Sequence, residues 1–487
     1  MCILSFYRWN IIKYNTKKFR ENKELIILNN QNKHNPSSKK IKNARLIALE
    51  IWMLVFYQEK KFDDIIKNSI DFNKLDKRDK AFVYLLINTS MRRQKQAKIV
   101  FNHYANFGIK DRNRYLNSIL IIASVQLIWL KIAPHAVLNN AVEQAKKYGG
   151  DKQSKLVNGL LRSMLRNEDE WIKLLPNNSV NLPEWLFKSW CSLYGEETVN
   201  KIVNLAMEPP PLDIIVSKKI SKKEKERLKS DLNAKEILPN VFRCKFNGPI
   251  ESLPRYSEGI WWVQDAASQI PCNLLLTKIP KHFDNMKLNE LKIIDLCSAP
   301  GGKTAQLFDN DLEVVCVEKS LSRSKRLDEN MKRLNFKPKV FIENAENFDP
   351  NFKPDIILID APCSATGTLR RNPDIFIKPA PKNLDNLIET QDNILKNAAK
   401  ILNSNGLIMY ITCSLQKIEG ERRIEKFLKE QLNFSIVPFY SDEYPNIEGS
   451  VTKEGFIRIL PNSLNLGSDD IGSGSDGFFV SLLKMDQ

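Results

Sequence analysis

Two cysteines sit where short apolar runs end. In "IDAPCSATGTLRR", residues 359–371, the run that begins at Ile356 stops at Asp360, and Cys363 follows behind a proline. In "YITCS", residues 410–414, Cys413 closes a second apolar run. A thiolate is a strong nucleophile, but a free thiol titrates near about 8.5, so a site that uses one must favour deprotonation. No histidine lies near either cysteine in sequence, so no base can be named. The chain has eight cysteines without CxxC spacing and only four histidines, which excludes the usual zinc patterns. The other cysteines are expected to be small buried apolar residues, unpaired in a reducing compartment.

A second stretch with chemical content is "DLCSAPGGKT", Asp295 to Thr304. Small residues and two glycines let the backbone approach a ligand closely, and a helix is expected to start at once. A triphosphate-binding loop needs a glycine, four further residues and then Gly-Lys-Thr, and Cys297 stands in place of that first glycine. The next apolar run, "EVVCVE", ends in Glu318, about twenty residues on, where an acid suits a ribose diol. With no grip for a pyrophosphate, the ligand expected is an adenosine with a small charged tail. S-adenosylmethionine fits, with Lys303 and the helix N-terminus attracting its carboxylate.

One reaction uses a thiolate, this cofactor and an acid: methylation of carbon 5 of a pyrimidine. That carbon is a poor nucleophile until a thiolate adds at carbon 6 and turns the ring into an enamine. A carboxyl group near ring nitrogen 3 favours the addition, and Asp360 is placed for that. A second cysteine could assist release afterwards. Chemistry alone leaves open which of Cys363 and Cys413 attacks.

These residues need a parallel sheet to meet. "KIIDLC", "EVVCVE", "KVFIEN", "DIILID" and "GLIMYIT" read as buried parallel strands separated by amphipathic helices, a doubly wound α/β domain over residues 286–487. Such sheets bind ligands at the carboxyl edge, where both cysteines and the Gly-rich turn emerge. Upstream, residues 44–175 read as an all-α bundle of five or more helices, with "MRRQKQAK", Met91 to Lys98, and Arg162 with Arg166 as basic edges. "EPPPL", Glu208 to Leu212, punctuates residues 176–285, a small α+β connecting segment whose charge run Ser217 to Asp231 is expected to be a solvated helix. Residues 1–43 are basic and linker-like, and are expected to form a disordered extension. The chain carries 74 Lys and Arg against 57 Asp and Glu, a net charge of +17, which favours a polyanionic partner, nucleic acid first. No window offers the roughly 18 apolar residues of a membrane span, so no membrane association and a cytoplasmic location are expected. "LNSILIIASVQLIWL", Leu116 to Leu130, reads as a core helix.

The motifs "DLCSAPGGKT", "DAPCSATGTLRRNPD", "YITCS" and the terminal "DGFF", Asp476 to Phe479, resemble those of the RsmB (Sun, Fmu) 16S ribosomal RNA cytosine-5 methyltransferases. "KLVNGLLR", Lys155 to Arg162, is similar to the end of that family's NusB-like RNA-binding domain, and "VQDAASQ", Val263 to Gln269, to the entrance of its catalytic core. The resemblance implies a Rossmann-like S-adenosylmethionine-dependent domain behind a NusB-like bundle and a small α+β subdomain, acting on small-subunit ribosomal RNA, expected as a monomer. It implies that Cys413 is the nucleophile and that Cys363 assists product release, the reverse of DNA cytosine-5 methyltransferases, where the Pro-Cys residue attacks. It places the cofactor against Cys297, Ser298, Ala299, Pro300, Gly301, Gly302, Lys303, Glu318, Asn344 and Asp360. Asn344 departs from the family's aspartate near the adenine. Glu419, Gly420 and Glu421 replace two acids and an asparagine, and an arginine expected after "PPPLDII" is missing. None of these departures is expected to touch the two cysteines. Arg370 and Arg371 are expected to grip phosphate beside a flipped base. The rival readings are a transfer-RNA enzyme of the same chemistry and a non-catalytic RNA-binding assembly factor.

Overall fold

The computed structural model describes residues 43–486, apart from 106–107, 247, 382 and 467–471. The expectation for residues 1–43 lies, but for its last residue, outside the described part.

The first part is helical: α1 (Ala44–Gln58), α2 (Phe62–Asn68), α3 (Ile70–Asn73), α4 (Lys77–His103), α5 (Arg114–Ile128), α6 (Pro134–Arg166) and α7 (Glu168–Lys173). α5 is the expected core helix. It is buried on every side from Leu116 to Ile128, and its interrupting polar residues find local partners, such as the Ser118 hydroxyl donating to the Arg114 carbonyl. Gly150, with φ at +73°, breaks α6 into the two amphipathic segments that the sequence suggests. α4 starts on an Asp76 cap that accepts the Asp79 N–H.

"MRRQKQAK" is not a basic edge. Arg92, 4% exposed, donates to the carbonyls of Ala206 and Arg370, and Arg93 donates to Asn178 and Gln96. The physical reason is local demand. Ala206 ends α9 (Glu196–Ala206), which follows α8 (Glu184–Tyr194), and a guanidinium satisfies orphan carbonyls at a helix C-terminus. Burial lowers the pKa of Arg92 to about 10.

A four-stranded antiparallel sheet follows, built from β1 (Leu212–Val216), β2 (Lys235–Leu238), β3 (Val241–Cys244) and β4 (Trp261–Val263) in the order β2-β3-β1-β4. Between β1 and β2, α10 (Lys222–Asp231) is the charged helix, with only Leu228 buried and a Ser221–Glu224 capping box. Arg243 and Asp213 form a fully buried ion pair inside this sheet.

The catalytic sheet has eight strands. After α11 (Ile270–His282) come β5 (Ile293–Leu296), α12 (Gly302–Asp309), β6 (Val314–Val317), α13 (Leu321–Arg333), β7 (Lys339–Phe341), β8 (Ile356–Asp360), α14 (Leu384–Ile401), β9 (Leu407–Thr412), α15 (Glu421–Glu430), β10 (Phe434–Ile436), β11 (Ile457–Ile459) and β12 (Phe478–Met485). The order is β10-β12-β9-β8-β5-β6-β7, with β11 paired to β12. β5 to β9 pair in parallel, and β12 runs antiparallel beside β9. These five strands are the apolar runs of the sequence. They are almost wholly apolar because helices cover both faces of the sheet.

Candidate active site

β8 and β9 are neighbours with Asp360 opposite Ile411, so both cysteines leave the same edge. The Sγ atoms of Cys363 and Cys413 lie 3.4 Å apart. Backbone bonds zip the two loops together beyond the strands: Ala361 N–H donates to the Ile411 carbonyl, and Gly367 N–H to the Cys413 carbonyl, each at 2.9 Å. Gly367 has to be glycine. A Cβ there would lie 2.2 Å from the Gly477 carbonyl oxygen and 2.8 Å from that of Cys413. Three segments distant in sequence thus meet: the Pro-Cys loop, the Thr-Cys loop and the "DGFF" turn that β12 lays beside β9.

Glu419, one of the departures, touches neither sulfur but holds both cysteine loops through the serines that follow them. Its carboxylate, fully buried, accepts from the backbone N–H of Ser364 at 2.8 Å, from the hydroxyls of Ser364 and Ser414 at 2.5 Å each, and from the Gln391 amide at 3.2 Å. Ser364 follows Cys363 and Ser414 follows Cys413. A buried carboxylate is tolerated only with this many donors. Glu421 acts one step away: it pairs with Arg458, whose guanidinium donates to the Ser414 carbonyl. The Cys363 thiol is pushed well up by its hydrogen bond with Cys413, then by burial and by the charges of Cys413 and Glu419.

Two cavities meet at Asp360 and Cys413. The first, about 190 Å³, is bounded by Cys297, Glu318, Arg323, Asn344, Asp360, Pro362 and Cys363. The turn that leads into it takes Cys297 to φ +67° and Gly301 to φ +101°. A Cβ on Gly301 would lie 2.6 Å from Leu327 of α13. Glu318 is buried. One of its oxygens accepts the Ser320 N–H at 2.9 Å, and the other makes no hydrogen bond, although the Arg323 guanidinium lies 3.3 Å away. A buried carboxylate oxygen with an unfilled acceptor site at the end of the second strand fits a ribose hydroxyl, so these residues fit S-adenosylmethionine. Asn344 borders the same cavity and exchanges hydrogen bonds with Glu346.

The second cavity, about 570 Å³, contains Ser298, Pro300, Gly301, Gly302, Lys303, Gln264, Asp265, Arg371 and Phe478. Lys303 lines this cavity together with the Gly-rich turn and reaches Asp360, which borders both cavities. It is 6% exposed, donates to Asp360 Oδ2 at 2.7 Å, and lies 5.5 Å from the centre of the Phe478 ring. Burial works to lower its pKa, but the Asp360 carboxylate outweighs this and leaves it raised, so the ammonium is held charged.

Arg370 and Arg371 do not form an open phosphate grip. Arg370 is 3% exposed and donates to the Ser473 carbonyl. Arg371 bridges Asp265 at 2.6 Å and Asp476 at 3.1 Å, with Asp213 at 3.9 Å. Burial opposes the Asp265 charge, yet Arg371 holds its carboxyl below the usual range, whereas burial and the neighbouring Asp265 push Asp476 up. Asp265 and Asp476 were visible only as letters within quoted motifs. Their partner lies more than a hundred residues away in sequence, at a contact that no local pattern encodes.

The comparisons with known proteins agree with this geometry. Residues 285–484 match the family described as 16S rRNA methyltransferase RsmB/F, and residues 42–166 match the NusB family. The chain is 28% identical over 463 residues, covering 91% of it and 99% of the relative, to the probable ribosomal RNA small subunit methyltransferase B of Synechocystis sp.. It is 30% identical over 387 residues, 77% of it and 83% of the relative, to the ribosomal RNA small subunit methyltransferase B of Photorhabdus laumondii. Its fold is similar to the crystal structure of PH0851, with a TM-score of 0.66 at 20% identity over 92% of this chain and 100% of that one. It is also similar to NSun6 from Pyrococcus horikoshii with SFG, with a TM-score of 0.50 at 21% identity over 63% of this chain and 99% of that one. With the S-adenosylmethionine fold, the NusB-type bundle and these relatives in hand, the chain belongs to the ribosomal RNA small subunit methyltransferase B family of S-adenosylmethionine-dependent methyltransferases.

Proposed function

We propose that the protein methylates carbon 5 of a cytosine in small-subunit ribosomal RNA, with Cys413 as the nucleophile and Cys363 as the residue that lets the product go. The observation that carries this reading is the pair of sulfurs 3.4 Å apart beside Asp360, where the two cavities meet. S-adenosylmethionine, held by the Cys297–Gly302 turn, Glu318 and Asn344, supplies an electrophilic methyl group on a sulfonium.

The protein's own groups do the rest. The Cys413 thiolate adds to carbon 6 and makes carbon 5 nucleophilic. Asp360, with Lys303 fixed against it, presents a carboxyl group to the ring edge at nitrogen 3 and stabilises the adduct. Phe478 offers the base an apolar surface. In the release step the carbon-5 hydrogen leaves as a proton, its electron pair restores the ring double bond, and Cys413 departs. Cys363, whose raised pKa keeps its proton in place, can donate a hydrogen bond to the departing sulfur. The bundle is proposed to hold RNA away from the site. Its buried Arg92 and Arg93 are committed elsewhere, but Lys74, Lys77 and Arg78 are exposed.

A covalent-adduct gel with cofactor and small-subunit RNA tests the assignment. Cys363→Ala is expected to accumulate a stable RNA–protein adduct, and Cys413→Ala to give neither adduct nor methylation. If Cys413→Ala still methylates and Cys363→Ala forms no adduct, the roles are reversed.

A further inference from the structure

The cavity that holds Lys303 and Phe478 is lined by more than the groups that would react, among them two arginines of α13. Its carboxylates are Asp265, Asp295, Asp360 and Asp476; Arg371 bridges Asp265 and Asp476, and Lys303 holds Asp360. Its lining also includes Tyr256 from the small-sheet subdomain and Arg326, Asn330 and Arg333 of α13. Positions 326, 330 and 333 fall on one face of a helix. Of the two acids of α13, Asp328 pairs with Lys332, and Glu329, which shares the face of the two arginines, is exposed and forms no ion pair with either of them among the described residues. Arg326 is exposed and has no ion pair among the described residues. The Arg333 guanidinium lies 4.3 Å from the centre of the Tyr256 ring and 5.6 Å from that of Trp261, and donates to the Tyr256 carbonyl. Its Nε–H is buried without a hydrogen-bond partner. A half-buried cation with a free donor and no carboxylate beside it is costly unless an anion completes it.

We propose that Arg326 and Arg333 form a phosphate subsite that takes the RNA backbone adjoining the target nucleotide, with the small four-stranded sheet as its far wall. This rests on the reading that the substrate is RNA. An enzyme that pulls a base from its stack has to anchor the flanking backbone, and guanidinium groups suit phosphate geometry. The ring stack of Arg333 on Tyr256 and Trp261 fixes that cation at the cavity mouth. The connecting subdomain is thereby part of the substrate site.

Binding of transcribed small-subunit ribosomal RNA to the full-length protein, measured without cofactor over a potassium chloride series, tests this. Arg326→Glu is expected to weaken binding about tenfold and to flatten the log–log salt slope by about 0.7, the loss of one phosphate contact on a single strand. Arg333→Gln is expected to change both in the same direction. Lys325→Glu, an equal charge change on an exposed neighbour off this face, is expected to have a much smaller effect. Arg326→Glu alone decides the matter if Arg333→Gln does not fold. The subsite is overturned if the wild type shows a salt-dependent slope that Arg326→Glu leaves unchanged, or if Lys325→Glu costs as much. A wild type that shows no salt-dependent RNA binding overturns the RNA reading itself, and the subsite with it. The readout involves no methyl transfer, so an error in the cysteine assignment leaves it intact.

Discussion

The Pro-Cys and Thr-Cys loops look alike in sequence: each follows a buried parallel strand and each places a serine after its cysteine. In the structure they share one carboxylate, Glu419, and one backbone zipper, and their sulfurs lie 3.4 Å apart. Cys363 is the one pushed well above an ordinary thiol by its partner, by burial and by Glu419. Two groups this close titrate as a pair, and the pair cannot easily hold two thiolates. The asymmetry proposed between them is one of roles: Cys413 attacks and Cys363 helps the product leave.

The hardest test of this asymmetry is to remove each sulfur. Methylation is expected to fall by at least about a thousandfold in Cys413→Ala and in Cys363→Ala alike, with adduct trapped only in the latter. Equal adduct yields from the two variants would erase the distinction. Next in size is the shared anchor. Glu419→Ala is expected to lower kcat by about a hundredfold and to cost roughly 2–4 kcal/mol of stability, because four buried donors lose their acceptor and the loops drift apart. Urea unfolding beside single-turnover rates checks it, and wild-type turnover in this variant would mean the loops hold themselves.

On the cofactor side, Glu318→Gln is expected to weaken S-adenosylmethionine binding about tenfold, through loss of a charge-assisted hydrogen bond. At saturating cofactor the same variant is expected to leave adduct formation near normal. A defect in adduct formation that saturating cofactor does not restore would tie the two cavities together more closely than their geometry suggests.

A smaller effect probes the raised thiol directly. Cys413 is the first cause of the Cys363 shift, and its removal lowers the Cys363 pKa and raises the thiolate fraction at any pH below that value. Alkylation of Cys363 by iodoacetamide at pH 8 is therefore expected to be several-fold faster in Cys413→Ala than in the wild type. Peptide mapping by mass spectrometry reads this, and an unchanged rate would place the cause in burial alone. Least of all, Asn344→Asp is expected to change cofactor affinity by only about two- to threefold, since the side chain stays at the cavity rim within reach of Glu346.

Much of the fold was legible because its signals are local. Five apolar runs became β5 to β9, Gly150 broke α6 between two amphipathic stretches, and the charge run became the capped helix α10. The misreadings share another cause. Arg92, Arg93, Arg370 and Arg371 carry the composition of an RNA-facing edge, but each is spent on carbonyls or carboxylates brought in from distant segments. The contact of Lys303 with Asp360 likewise joins residues 57 positions apart. Glu419 looked like a departure from a pattern, and its weight came only from Ser364, 55 positions earlier.

By itself, the sequence determined the periods of its strands and helices, the Gly-rich turn and the residue types that can do thiol and carboxylate chemistry, because these depend on neighbours a few residues apart. Only the tertiary structure decided which charges are free and which are buried in pairs. It also decided how close the two sulfurs lie and that Asp360 borders both cavities. Those properties depend on desolvation and on the distance between charges, and both are set by which segments the sheet brings together.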